Sequence, residues 1–147
     1  MREILFRGKC TDIIDIEVKK DNNSWVYGFY FGKDNLNSII EISDIVKCDY
    51  YDNAARVDFF MPIPIDKNTL SQYIGILDKN NTKIFEGDII KVTIKDEVYG
   101  NIETHIGNVE FIDKNLMFGI HSKNFYIDFY LIQHGDDFHT YSIEVIG

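Results

Sequence analysis

A mainly β fold, all-β or β-rich α+β with little helix, is predicted by three features of the sequence. Aromatic residues are abundant, with eleven Phe, nine Tyr and one Trp in 147 residues, while Ala occurs only at Ala54 and Ala55. Short runs alternate apolar and polar side chains, as Ile14, Ile16 and Val18 do around Asp15 and Glu17. No segment holds a helical period across a dozen residues with caps at both ends. Aromatic and β-branched side chains suit a pleated, half-buried surface, and a period of two sets one face against a core. The expected organisation is an N-terminal β lobe over residues 1–68 and a small SH3-like barrel over 69–147.

Taken in order, EILF and IIDIEV read as strands, and KDNNS at 20–24 breaks the second with turn-forming residues. SWVYGFYFG at 24–32 resumes as a strand around Gly28, which suggests a bulge or a close backbone approach. SIIEISDIV and RVDFFMPIPI follow. Pro62 and Pro64 lack the N–H that a central ladder needs, so that stretch is an edge strand or an exit from the sheet. DKNTLSQ at 66–72 predicts a short helical turn capped by Asp66, near the joint between the lobes.

In QYIGILDKNNTKIFEGDIIKV, residues 72–92, two β-type runs flank the polar loop Asp78 to Asn81, which predicts a hairpin with Ile74 opposite Phe85. Gly87 then takes a positive φ, Asp88 bonds back to nearby amides, and Ile90, Val92 and Ile94 share one face of the next strand. Further strands are broken at Gly100-Asn101 and at Gly107-Asn108. FYIDFYLIQ fits either a helix or a strand, and YSIEVIG closes the chain in strand form.

The formal net charge of −9 is spread along the chain, with 9 basic and 12 acidic side chains in residues 1–70 and 6 and 12 in 71–147. Nucleic-acid backbones are bound by clustered Lys and Arg, so composition disfavours that partner and favours a protein reached through charge or aromatic surface. Cys10 and Cys48 are far apart and form no CxxC unit, so both read as reduced, buried thiols. MREILFRGK lacks the long apolar region of a secretory signal. FFMPIPI at 59–65 and FYIDFYLI at 125–132 fall far short of the roughly 20 residues that cross a bilayer. A cytoplasmic protein without membrane contact is expected.

Several clusters of residues have the chemistry of sites. Asp78, Asn80 and Thr82 match the first ligands of a calcium loop, but Lys83 and Ile89 stand where that loop needs Gly and a bidentate Glu. Glu86 and Asp88 have the composition of an acid–base pair, yet a turn carboxylate is the better reading. His134, Asp136, Asp137 and His139 are metal-ligand types in HGDDFH, but their spacing matches no zinc pattern, and a solvated loop is favoured. His105 and His121 read as half-buried or surface singletons. Ser24, Ser38, Ser43, Ser71, Ser122 and Ser142 lie in no GxSxG elbow, and no glycine-rich phosphate loop occurs. No catalytic residue, metal site or cofactor is assigned. The remaining lead is aromatic: Trp25, Tyr27, Phe29, Tyr30 and Phe31, with Tyr50 and Tyr51 the pair expected to be exposed between Asp49 and Asp52.

MREILFRGK at 1–9, WVYG at 25–28, residues 72–92, GNVEF at 107–111 and YSIEVIG at 141–147 together resemble the YopX family of phage and prophage proteins. The resemblance implies a small, β-rich, cytoplasmic, self-associating protein encoded by a bacteriophage or integrated prophage. Members are of unknown function, so it carries no catalytic residues over. Asn81 stands where the family commonly has glycine, which keeps a left-handed turn available. A polar tail often continues past the position of Gly147.

The leading expectation is a non-enzymatic accessory protein that binds a host or phage protein through an acidic, aromatic-bearing β surface, with host takeover or anti-defence as context. The alternative is nucleic-acid binding on the SH3-like lobe. Metal-dependent hydrolysis at HGDDFH ranks third.

Overall fold

A computed structural model describes residues 4–11, 25–33, 36–40, 62–113 and 116–147. The expected strand at 13–18, the turn at 20–24, Cys48 and the Tyr50-Tyr51 pair lie outside the described residues. The chain divides into two compact units, Glu3–Gln72 and Tyr73–Gly147. The described residues are mainly β, in two antiparallel sheets.

In the first unit, strands β1 (Phe6–Lys9), β2 (Trp25–Lys33), β3 (Leu36–Ile40) and β4 (Ile63–Pro64) pair in the order β4-β3-β2-β1. Ser71 and Gln72 add to the outer side of β1, opposite Arg7 and Phe6. Alternation along β2 buries Val26 completely and directs it to a core with Ile39, Ile63 and Ile65, against which Phe6, Cys10, Tyr30 and Leu70 pack. β4 is the edge strand that the prolines require. After it, Asp66 accepts the Asn68 N–H at 2.9 Å and caps a single 3₁₀ turn, Lys67–Thr69.

The second unit begins with a hairpin of β5 (Ser71–Leu77, from Tyr73 onward) and β6 (Lys83–Phe85). Its register differs from the expected one: Tyr73, not Ile74, faces Phe85, and Leu77 faces Lys83. The cause is a bulge between these pairs, where Gly75 adopts φ 89°. Only glycine enters that region without a Cβ penalty; β5 carries two more residues than β6 between these pairs, and Ile74 lies in the core.

β7 (Ile89–Asp96), β8 (Ile102–Ile112), β9 (Met117–Ser122) and β10 (Phe125–Asp128) form a meander, and β11 (His139–Val145) returns beside β7, giving the order β10-β9-β8-β7-β11. The expected break at Gly107-Asn108 is absent: β8 runs through it, and Gly107 is buried opposite Ile90. A Cβ there would sit 2.6 Å from the His121 carbonyl oxygen, so the glycine marks close strand approach rather than a turn. FYIDFYLIQ resolves into both readings. Asp128 ends β10, accepts the Leu131 N–H at 2.7 Å and starts α1 (Phe129–His134).

The second unit is an antiparallel sheet, in keeping with the expected β-rich fold, and no closed barrel forms among the described residues. β10 is only four residues long and β11 pairs with β7, so the two edges are not laddered to one another. The cap at Asp128 diverts the chain into a helix before that ladder could begin. The core comprises Ile74, Ile84, Ile90, Val92, Val109, Ile120, Ile127, Phe129 and Ile143, with Ile94 packed at its margin. Ile90, Val92 and Ile94 therefore share one face as expected.

Candidate functional site

The residues with calcium-like spacing form a staple. Oδ1 of Asp78 accepts the N–H groups of Asn80 and Thr82, both at 2.8 Å, and Oδ2 accepts the Val145 N–H at 3.1 Å. Burial pushes this carboxyl up, but the donors of Thr82, Val145 and Asn80 outweigh it and hold its pKa below the ordinary value. Lys79 N–H also donates to the Ile143 carbonyl, so the hairpin turn is tied to β11. Asp88 is likewise buried in its turn and accepts the Phe85 N–H at 2.8 Å, while Gly87 has φ 82°. Asp88 is thus bonded within its own turn, next to Glu86 and Gly87. His105 stacks on Phe125 with ring centroids 4.0 Å apart, and His121 lies 3.5 Å from Glu110.

HGDDFH is organised around one carboxylate. Asp136 Oδ1 accepts the N–H groups of Phe138 at 2.8 Å and His139 at 2.7 Å, and Nδ1 of His139 lies 2.9 Å away. Oδ2 accepts the Tyr141 hydroxyl at 2.8 Å. The Tyr141 hydroxyl, with the Phe138 and His139 donors, outweighs desolvation and lowers the Asp136 pKa to about 2. Burial first, then the hydrogen bond and charge of Asp136, raise Tyr141 to about 12. His134 instead sits against Tyr130 on α1, with ring centroids 4.4 Å apart. Among the described residues no group of three or more His, Cys, Asp or Glu side chains is arranged to hold a metal ion.

The neighbouring β7–β8 turn has the same construction. Asp96 Oδ1 accepts the Val98 N–H at 2.8 Å and the Tyr99 N–H at 3.0 Å. The Tyr99 donor chiefly, with Val98 and the nearby His139, holds the Asp96 carboxyl below its ordinary range against desolvation. The two turns are joined: Glu97 N–H donates to the Phe138 carbonyl at 2.8 Å, and the Thr140 hydroxyl donates to Glu97 at 2.7 Å. Lys95 is committed to Glu97 at 2.7 Å.

This joined pair of turns presents four apolar side chains to solvent: Val98 is 61% exposed, Tyr99 80%, Ile102 66% and Phe138 58%. Asp96, Glu97, Glu103, Asp136 and Asp137 belong to the same two turns and the start of β8, with Lys95 at the end of β7 beside them. A polar recess of about 200 Å³ lies beside them, lined by Ile94, Asp96, Asn101, Glu103, His139 and Tyr141. Backbone donors on Asp96 and Asp136 fix the Val98, Tyr99 and Phe138 positions, so these apolar residues are exposed on ordered turns.

HGDDFH was visible in the sequence by its ligand types. Val98, Tyr99 and Ile102 carry no comparable signal, although the DEVYGN run places two apolar residues between a turn-forming Asp and a Gly. Of the N-terminal aromatics, Trp25, Tyr27, Phe29 and Phe31 alternate along one side of β2. Tyr30 lies on the other, its hydroxyl donating to Asn37 at 2.7 Å.

These features define a β-rich protein with a structured acidic and apolar end. The model of one family, described as YopX protein, matches residues 18–147, most of the chain. The chain belongs to the YopX family. No curated protein and no solved structure matches it.

Proposed function

We propose that this is a phage-type accessory protein that works by binding another protein, not by catalysis, and that the joined turns of the second unit are its docking surface. One observation carries the reading: Val98, Tyr99 and Phe138, on carboxylate-rich turns stapled by Asp96 and Asp136, and Ile102 at the start of β8 are each more than half exposed. Apolar anchors held rigidly in advance lose little entropy on binding, and a polar margin sets partner choice. The carboxylates select a partner whose apolar pocket has a basic rim. The phage origin rests on the family, and the meander, short helix and return strand beside β7 support an SH3-like ancestry for the second unit.

The test is affinity capture from the bacterium that carries the gene, followed by identification of the partner and titration of the purified pair. Replacing Tyr99 and Phe138 by Ser should weaken that binding at least tenfold, and added salt should weaken it further. Recovery of no protein above control, or unchanged affinity of the double variant, overturns the reading.

Self-association is a second reading, favoured by a different apolar surface. Phe111, Leu116, Met117 and Tyr130 are exposed around a recess of about 230 Å³ floored by Ile74, Ile76, Phe118 and Phe129. Light scattering across a concentration series tests it; a monomer throughout removes it.

A further inference from the structure

β8 has neighbours on both sides along only part of its length. β7 accompanies it from Ile102 to Asn108, whereas β9 pairs with it only from Asn108 to Ile112. The stretch from Ile102 to Ile106, roughly 14 Å at about 3.4 Å per residue, is therefore an open edge on the β9 side. Register decides which groups it presents. The Asp96 N–H donates to the Asn101 carbonyl and the Val109 N–H to the Asp88 carbonyl, both at 2.9 Å, one at each end of the β7–β8 ladder. Hydrogen-bonded pairs recur at every second residue of an antiparallel ladder, so Glu103, His105 and Gly107 turn their amides and carbonyls to β7. Ile102, Thr104 and Ile106 turn theirs away, and no hydrogen bond among the described residues uses them. Their side chains share the outer face, where Ile102 is 66% and Ile106 54% exposed and Thr104 is exposed as well. Glu103 and His105 lie on the opposite face, 3.4 Å apart, with His105 stacked on Phe125.

We propose that an extended segment of the partner protein adds to β8 along Ile102–Ile106 as an antiparallel strand, the sense of every other pair in this sheet. The chemistry of the edge selects the occupant: donors and acceptors that alternate at strand spacing are matched in full by another extended polypeptide backbone. Edges are normally kept short or broken by proline, charge or a bulge. That is what the sheet ends show. β4 has two residues, one a proline, β6 has three, and β10 has four before the Asp128 cap. The outer side of β11 is held at Ile143 by the Lys79 amide and at Val145 by the Asp78 carboxylate. The β8 edge instead carries two isoleucines and a threonine, strong strand formers, without proline, lysine or a register shift. The added strand places β-branched residues beside Ile102 and Ile106 and a basic residue opposite Glu103. This inference rests on the docking reading, since Ile102 belongs both to that surface and to the edge.

The probe is a capped peptide, Lys-Val-Lys-Val-Lys-Val-Lys, titrated into the full-length protein with amide exchange followed by NMR. In the free protein the Ile102, Thr104 and Ile106 amides should exchange fast and those of Glu103 and His105 slowly. The peptide should protect the first three. N-methylation of its valines, whose amides face β8 in this pairing, should weaken binding at least tenfold, whereas N-methylation of its lysines should leave it unchanged. Thr104→Pro removes an amide that β7 does not use, so the variant should keep the wild-type circular dichroism and lose the peptide. No protection at about 1 mM peptide, equal binding of the two methylated forms, or full affinity in a folded Thr104→Pro variant overturns the proposal. Protection in the free protein that grows with its concentration assigns the edge to a second copy and also overturns it. The Tyr99→Ser/Phe138→Ser double variant, which tests the docking turns, should bind the peptide as wild type does, so the two readings fail separately.

Discussion

The Tyr141 hydroxyl donates to Asp136 Oδ2 at 2.8 Å, joining the β11 strand to the loop that precedes it. The other oxygen of Asp136 holds the Phe138 and His139 amides, so one carboxylate fixes both the loop and the first turn of the strand. The two partners shift in opposite directions: the bond, which favours a charged acceptor, leads in bringing Asp136 down to about 2, while burial first and the bond second push Tyr141 up to about 12.

A pH dependence follows. An unfolded Asp titrates near 3.9, so the folded Asp136 keeps its charge to lower pH and its stabilising contribution is fully present above about pH 4. That contribution is lost as pH falls toward about 2. Wild type should therefore be more resistant to urea than Asp136→Ala at pH 7, and the two midpoints should converge between about pH 4 and pH 2. A separation that stays constant across that range would show that the carboxylate charge is not what holds the loop.

Asp78 holds a longer-range connection, since its carboxylate spans the β5–β6 turn and the end of β11. Asp78→Ala leaves the Asn80, Thr82 and Val145 amides to find other acceptors in a buried corner. A loss of about 2–3 kcal/mol in urea unfolding is expected. Asp78→Asn keeps one acceptor oxygen and should lose less. Equal stability of Asp78→Ala and wild type would mean that water replaces all three bonds.

What was legible in the sequence was what is decided locally. Asp66, Asp88 and the Pro62/Pro64 pair each act on residues within a few positions, and each was assigned its turn, cap or edge from composition. The Tyr73–Phe85 register was not legible, because nothing local to Gly75 distinguishes a bulge from an ordinary strand glycine. The strand-to-helix change at 125–134 is hidden for a similar reason: FYIDFYLIQ satisfies both periods, and the Asp128 cap that divides it depends on backbone geometry. The acidic end is not legible in the sequence because its two turns lie about forty residues apart and are brought together by the β7–β11 pairing and the Glu97–Phe138 and Thr140–Glu97 bonds. HGDDFH displayed metal-ligand types, yet the donors that Asp136 accepts are mostly backbone amides, which a list of side chains does not show.

Gly107 should be intolerant of any side chain. Its Cβ would lie 2.6 Å from the His121 oxygen and 2.9 Å from the carbon bearing it, so the clash is with backbone and cannot be relieved by a rotamer. Gly107→Ala must push β8 from β9 beside the fully buried Ile120, and a loss of about 1–3 kcal/mol is expected. Urea unfolding checks the magnitude. An alanine variant as stable as wild type would show that the two strands separate freely at that point.

The apolar turn residues should behave in the opposite way. Val98 and Tyr99 are mostly exposed and their amides, not their side chains, are held by Asp96. Val98→Ser and Tyr99→Ser should therefore change unfolding free energy by no more than about 0.5 kcal/mol. Asp96→Ala, which frees both amides, should loosen the turn and speed amide exchange at Val98 and Tyr99, measured by hydrogen exchange, while leaving exchange at core strands such as Val92 unchanged. If the serine variants unfolded well below wild type, these side chains would be part of the packing rather than a surface kept for a partner.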